Sequence, residues 1–210
     1  MSWEKFFQQN EKLIKHIDSQ LKDTVYTPAH SEIFDIFKRV PFDKVKVVII
    51  GDKPYNDPYT ASGIAFSSKD NFDTTILLKR MYEELENSIT KFKPPTNNQL
   101  EKWLEEGIFL CNFCFTCPLD DYKFKKSYYL LWEPFINNLV SYISENTSAI
   151  FMLVGYRAST LRSSINEINC SIIEVPHPIY NYEKFKGCNC FQQARQLAGD
   201  LGFTINWDLS

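Results

Sequence analysis

Residues 45–67 read VKVVIIGDKPYNDPYTASGIAFS. The stretch opens on a β-rich run that is apolar apart from Lys46. Gly51 ends the run, a loop with Pro and Tyr follows, and Gly63 then stands close to Phe66. An unbroken apolar run is expected of a parallel strand covered on both faces. The segment beyond it has the layout of a binding loop on a strand end. Lys53 sits in that loop, where a ligand would face.

Working outward, three further runs share the β-rich, unbroken character of Val45–Ile50. They are Ile108–Cys111, Ala149–Val154 and Ser171–Val175. Helical patterns lie between them: Thr75–Ser88, Asn97–Glu106, Tyr128–Ser144 with Pro134 inside it, Arg157–Ile168 and Cys190–Leu201. The first 40 residues also read as helices, with Ser31 as the N-cap of SEIFDIFKRV. Strands alternating with helices predict an α/β sheet with crossover connections. We expect one domain over residues 1–210, with residues 1–40 packed on it. The loops GDKPYNDPY, NFCFTCP, GYRAS and HPIYNY follow the four strands. Ligands of open parallel sheets bind beyond the C-terminal strand ends, so four unusual loops there predict one composite site.

The totals narrow the classes. With 44% apolar residues in 210, the chain can bury a full core. A net charge of −3 excludes a strongly basic DNA coat and leaves any nucleic-acid contact to a local patch. No apolar run reaches the length of a membrane span, and the expectation is a soluble, intracellular monomer that does not engage membranes. The six cysteines are expected to be free thiols.

The ordered motifs resemble the uracil-DNA glycosylase superfamily, and most closely its ubiquitous uracil-removing branch. That family carries a Gly-Gln-Asp-Pro-Tyr-His loop, here Gly51-Asp52-Lys53-Pro54-Tyr55-Asn56. Its Gly-Leu-Ala-Phe-Ser segment is Gly63-Ile64-Ala65-Phe66-Ser67, and its Leu-Leu-Asn strand end is Leu110-Cys111-Asn112. Its His-Pro-Ser-Pro-Leu loop is His177-Pro178-Ile179-Tyr180-Asn181. Gly187-Cys188-Asn189-Cys190-Phe191 and Ile205-Asn206-Trp207 complete the set, together with MYEELEN and WLEEGIFL. The resemblance runs from about residue 25 to the end. It implies a three-layer α/β/α fold around a mostly parallel four-stranded sheet.

The resemblance also implies roles. A glycosylase must take its base out of the stack and read it in a pocket. Phe66 would stack on uracil, and Tyr55 would wall off C5 against thymine. Asn112 would pair with O4 and N3, since an amide offers donor and acceptor. His177 would donate to O2 as charge builds on the departing base. Asn56 stands at the loop His position. Cys111, Cys114, Cys117, Cys188 and Cys190 have spacings that raise zinc or an iron–sulfur cluster. The resemblance places Cys111 and Cys117 at apolar positions and Cys188 at a cysteine that needs no metal. No metal or cofactor is expected.

The departures fall on the chemistry. The family's loop Asp, which positions water and favours the cationic sugar, is Lys53 here. At about 4 Å and an effective dielectric near 20, two like charges repel by roughly 4 kcal/mol. Asp52 lies next door, but neighbours in an extended loop point apart. The family's Ser-bearing backbone-gripping loops correspond to Thr74-Thr75-Ile76, Gly155-Tyr156 and Ile179. Ile179, Tyr180 and Tyr182 are candidates for the wedge that fills the vacated stack. Lys123, Lys125, Lys126, Lys184 and Lys186 are basic residues near this region, read either as DNA contacts, as expected for Lys184 and Lys186, or as a solvated surface. Three readings stay open. One is an enzyme that removes uracil from DNA with weak or altered activity. Another is an inactive accessory factor that binds DNA, uracil-containing or single-stranded, or a protein partner. The last is lyase chemistry through a Lys53 Schiff base.

Overall fold

The computed structural model describes residues 1–69, 73–119 and 126–209, apart from the side chain of Lys126. Lys123 and Lys125, and the side chain of Lys126, therefore lie outside the described residues. Six strands occur among those described: β1 (Tyr26–Thr27), β2 (Val47–Gly51), β3 (Ile108–Asn112), β4 (Cys117–Pro118), β5 (Ile150–Val154) and β6 (Ser171–Val175). Four of them form a parallel sheet in the order β3-β2-β5-β6, and β1 pairs antiparallel with β4. The four expected strands are thus found within two residues of their predicted ends.

Register follows from the apolar runs. Val47 stands opposite both Ile108 and Ile150, and Gly51 stands opposite Asn112. Every residue of β2, β3 and β5 is buried. Side chains alternate across a strand, so burial of all five requires cover on both faces. On one face Phe109 meets Trp3 at 5.1 Å and Phe37 at 5.2 Å between ring centroids. On the other, Ile49, Met152 and Val175 share a small void with Met81 and Phe191. Helices from both halves of the chain therefore sandwich the sheet. Each fully buried large apolar side chain is worth roughly 1.5–3 kcal/mol. Trp3, Phe6 and Phe37 are buried, so the N-terminal helices are part of the core.

Several predicted helices change at their ends, each for a local reason. The N-terminal helix divides into Trp3–Gln9 and Glu11–Leu21. Asn10 at the break is buried, bonds to the Phe6 carbonyl, and accepts from Asn138 at 2.7 Å. Ser31 is not an N-cap; it lies inside a 3₁₀ turn, His30–Glu32, before the short helix Asp35–Arg39. The helix expected from Asn97 begins only at Glu101. Asn98 is instead a buried loop residue facing Thr74 and Asp73, and Leu100 takes a left-handed conformation. Pro134 does not interrupt its helix, which runs Lys126–Asn146. GYRAS is a helical turn, Gly155–Ser159, followed by a 3₁₀ turn to Ser164. Among the described residues no helix is long and apolar enough to cross a membrane.

The helix Ile76–Ser88 braces the loops around the strand ends. Its N-cap is Thr75, whose hydroxyl accepts from the Leu78 amide. On its inner face Glu84 is 1% exposed and accepts the backbone N–H groups of Gly187 at 2.6 Å and Asn189 at 2.8 Å. A buried carboxylate is tolerated only with such partners. Glu84→Ala leaves two donors without their acceptor, at about 1–3 kcal/mol each. Denaturant unfolding of this variant should show a loss of about 2–4 kcal/mol, with Glu84→Gln losing less. A cost below 0.5 kcal/mol for both, the range of an ordinary surface change, contradicts this role for Glu84.

Candidate functional site

The strand ends open onto a cavity of about 250 Å³. Residues 52–56 after β2, Asn112 at the end of β3 and His177 after β6 all line it, as do Phe66, Thr75 and Ile179. Tyr55, Asn56, Lys53, Asp52 and Tyr180 are therefore gathered with Phe66, Asn112 and His177 as the sequence predicts. GYRAS instead contributes Gly155, Tyr156 and Arg157 to an adjoining cleft of about 220 Å³, which shares Asp52, His177 and Tyr180 with the cavity.

The tight register at Gly51 and Asn112 forms the cavity floor. A Cβ on Gly51 would lie 2.6 Å from Asn112 Oδ1 and 3.0 Å from Phe66 Cζ. Glycine is required there because two side chains close over its backbone. Asn112 is only 8% exposed, and its amide makes no side-chain hydrogen bond among the described residues. Buried polar groups ordinarily have partners, and this donor–acceptor edge belongs to a residue that lines the cavity. Phe66 holds φ +67°, a conformation uncommon outside glycine, which sets its ring against the floor. The Tyr55 hydroxyl donates to the Phe66 carbonyl at 3.0 Å and contacts Thr75 Oγ1 at 2.8 Å. Wall, stacking ring and helix N-cap are thereby joined. Burial pushes the Tyr55 hydroxyl up to about 12, so it stays a neutral donor.

His177 has a defined tautomer. Its Nδ1 accepts from the N–H of Ile179 at 3.0 Å and of Tyr180 at 3.3 Å. An acceptor Nδ1 carries no proton, and the proton of the neutral ring is assigned to Nε2. Burial holds the ring below the usual histidine range, and the Asp52 carboxylate opposes that only in part. Gly155, at φ +83°, lets the ring approach: a Cβ there would meet His177 Cδ2 at 3.0 Å.

The charged residues do not all face the cavity. Both oxygens of Asp52 accept from the Tyr129 hydroxyl at 3.0 Å, and the Arg157 guanidinium covers the Tyr129 ring at 4.1 Å. The Tyr129 hydroxyl is pushed up by burial first and by Asp52 second. Lys53 lines the cavity, yet its Nζ reaches Cys117 Sγ at 3.7 Å. Asp57 is engaged within its own turn, by Thr60 Oγ1 and the Tyr59 amide.

The remaining predicted residues lie outward. Tyr180 is 76% exposed and leans on His177, with ring centroids 4.5 Å apart. Tyr156 is 82% exposed at the cleft mouth. Tyr182 is held off the cavity: its hydroxyl donates to Glu83 and Arg80 covers its ring at 4.0 Å. Lys184, in the short helix Tyr182–Phe185, and Lys186, at its C-cap, are exposed. All six cysteines are free thiols. Among the described residues, no three His, Cys, Asp or Glu groups stand together as a metal site.

The partners Tyr129 and Arg80 are not legible as site residues in the sequence, and for Thr75 and Arg157, which fall in loops singled out there, the contacts they make are not. Their contacts span 20 to almost 100 positions in the chain, and nothing in their local pattern signals them.

The closeness of Gly51 to the floor can be tested. Gly51→Ala should cost about 1–3 kcal/mol in unfolding free energy, because Asn112 and Phe66 must shift. In an Asn112→Ala background the cost should shrink, since the clashing oxygen is gone. Equal costs in both backgrounds contradict this geometry.

Comparisons with known proteins bear on the family and the fold. The sequence profile of the Uracil DNA glycosylase superfamily matches residues 37–198. The uracil-DNA glycosylase of Francisella philomiragia is 35% identical over 187 residues, covering 87% of this chain and 84% of that protein. The crystal structure of mimivirus uracil-DNA glycosylase superposes with a TM-score of 0.87 at 25% identity, covering 99% of this chain and 86% of that one. A variant of the mimivirus protein in complex with UGI gives the same TM-score at 24% identity, covering 99% of this chain and 88% of that one, and bears on the fold alone. With a profile match over most of its length and relatives above 30% identity, the chain belongs to the uracil-DNA glycosylase superfamily.

Proposed function

We propose that this protein reads an extruded uracil of DNA in the strand-end cavity and hydrolyses its N-glycosidic bond slowly. The observation that carries the reading is the convergence of Tyr55, Phe66, Asn112 and His177 on one cavity of about 250 Å³. In this reading Phe66 stacks on the ring, the Tyr55 wall crowds out a C5 methyl, and Asn112 pairs with the uracil edge. The C1′–N1 bond breaks and its electrons move onto the base. His177, neutral with its proton on Nε2, donates to O2 as that charge develops. Water adds to C1′, and its proton ends on the released uracil.

Lys53 explains why the step is slow. A cationic sugar gains from a nearby carboxylate and loses from a nearby ammonium. The Lys53 ammonium stands at the cavity wall beside Cys117, while Asp52 is turned to Tyr129. Each 1.4 kcal/mol lost is about tenfold in rate. The same substitution favours a second reading, in which the protein holds uracil-containing DNA without cutting it and serves as an accessory factor. The outward residues Tyr156, Tyr180, Lys184 and Lys186 are then the DNA-facing surface in either case, with Ile179 or Tyr180 as the wedge.

Single-turnover assays on a uracil-containing oligonucleotide separate the two. Under the first reading the wild type cuts slowly, and Lys53→Asp raises the rate about a hundredfold or more. An oligonucleotide left whole by wild type and Lys53→Asp alike, at protein excess over hours, removes the enzymatic reading and leaves the accessory one.

A further inference from the structure

The loop that carries His177 is held from behind. Arg80, on the helix Ile76–Ser88, donates from Nη1 to the carbonyl of Pro178 at 2.7 Å and to that of Ile179 at 3.3 Å. These two carbonyls belong to particular peptide units. The Pro178 carbonyl shares its unit with the Ile179 N–H, and the Ile179 carbonyl shares its unit with the Tyr180 N–H. Those two N–H groups are the donors to His177 Nδ1. One guanidinium thus grips the oxygen end of both peptides whose nitrogen ends grip the imidazole.

We propose that Arg80 is a positioning residue for His177. Through the carbonyls of Pro178 and Ile179 it orients the two peptide N–H groups that keep Nδ1 an acceptor, and so keeps the proton on Nε2, toward the cavity. The inference rests on the reading of His177 as the donor to the departing base.

Two physical effects act in the same direction. A cation on the carbonyl side polarises a peptide and strengthens its N–H as a donor, the cooperativity of a hydrogen-bond chain. A second proton on the ring would displace both N–H donors and meet the positive field behind them. Tyr182 keeps the guanidinium in place, with its ring 4.0 Å below and its hydroxyl donating to Glu83. Other groups face His177 from neighbouring elements. Asp52 and Lys53 come from the loop after β2, and Tyr129 and Arg157 come from the adjoining cleft. Of these, Asp52 favours the protonated ring. Arg80 opposes it through the peptides of Pro178 and Ile179.

The test is the protonation state itself. Imidazole nitrogen and proton spectra of the whole chain can be followed across pH, with the signals of the exposed His16 and His30 assigned alongside those of His177. In the wild type His177 should appear as the Nε2–H tautomer. In Arg80→Gln the Nδ1–H share should grow and the titration midpoint should rise by about one pH unit. Arg80→Lys keeps the charge but offers no fork for two carbonyls, so its change should be smaller and of the same sign. If Arg80→Gln does not fold, Arg80→Lys decides alone. Excision by the variants should lose about tenfold in kcat with little change in KM, as expected for a group acting in the transition state. A tautomer and midpoint unchanged from wild type in the folded variants overturn the proposal, whatever happens to activity. A wild type that cuts no uracil overturns the reading of the site instead, while the spectra still decide on Arg80.

Discussion

The site depends on the register between two parallel strands. Gly51 and Asn112 end β2 and β3 on the same rung, so a backbone without a side chain lies beside the Asn112 amide. That pairing is fixed far from the site. The apolar runs of both strands are buried on both faces, and a slip of one residue would turn five side chains around. The core therefore places the amide, and the floor of the cavity needs no dedicated scaffold of its own.

The walls are built differently. They come from loops, and loops need anchors to hold a geometry. The helix Ile76–Ser88 supplies most of them: Thr75 meets the Tyr55 hydroxyl, Arg80 holds the peptides behind His177, and Glu84 ties down residues 187 and 189. One rigid element thus sets both the wall and the hydrogen-bond donor. Asp52, in contrast, is drawn to Tyr129 on the cleft side, and Lys53 reaches Cys117 at the cavity wall. Tyr55, Phe66, Asn112 and His177 are thus held by the core and by one helix, while Asp52 and Lys53 are each engaged by a neighbour.

The sequence makes the first of these plain and the second only partly so. Four β-rich runs announce the parallel sheet: β2, β3 and β5 are buried on both faces and show little polar alternation, while the edge strand β6 still reads as β-rich although Glu174 is exposed. Tyr55, Phe66, Asn112 and His177 are legible because they follow strand ends in motif order. Glu84 is not, since a carboxylate in MYEELEN reads as a solvated charge until its two amide partners come from 103 and 105 residues away. Arg80 is hidden for the same reason, with its carbonyls 98 and 99 residues on. The helix expected from Asn97 fails because Asn98 is claimed by Thr74 and Asp73, a tertiary contact that outweighs local propensity.

The central claim is that the cavity distinguishes uracil by its edge and by its bare C5. The most direct measurement is an NMR titration of the protein with free uracil and, separately, free thymine, observing the Asn112 side-chain amide and the His177 ring. The account predicts that uracil shifts both signals in a saturable way and that thymine, excluded by Tyr55, shifts neither at the same concentration. Equal responses to the two bases, or shifts confined to residues outside the cavity, would contradict it.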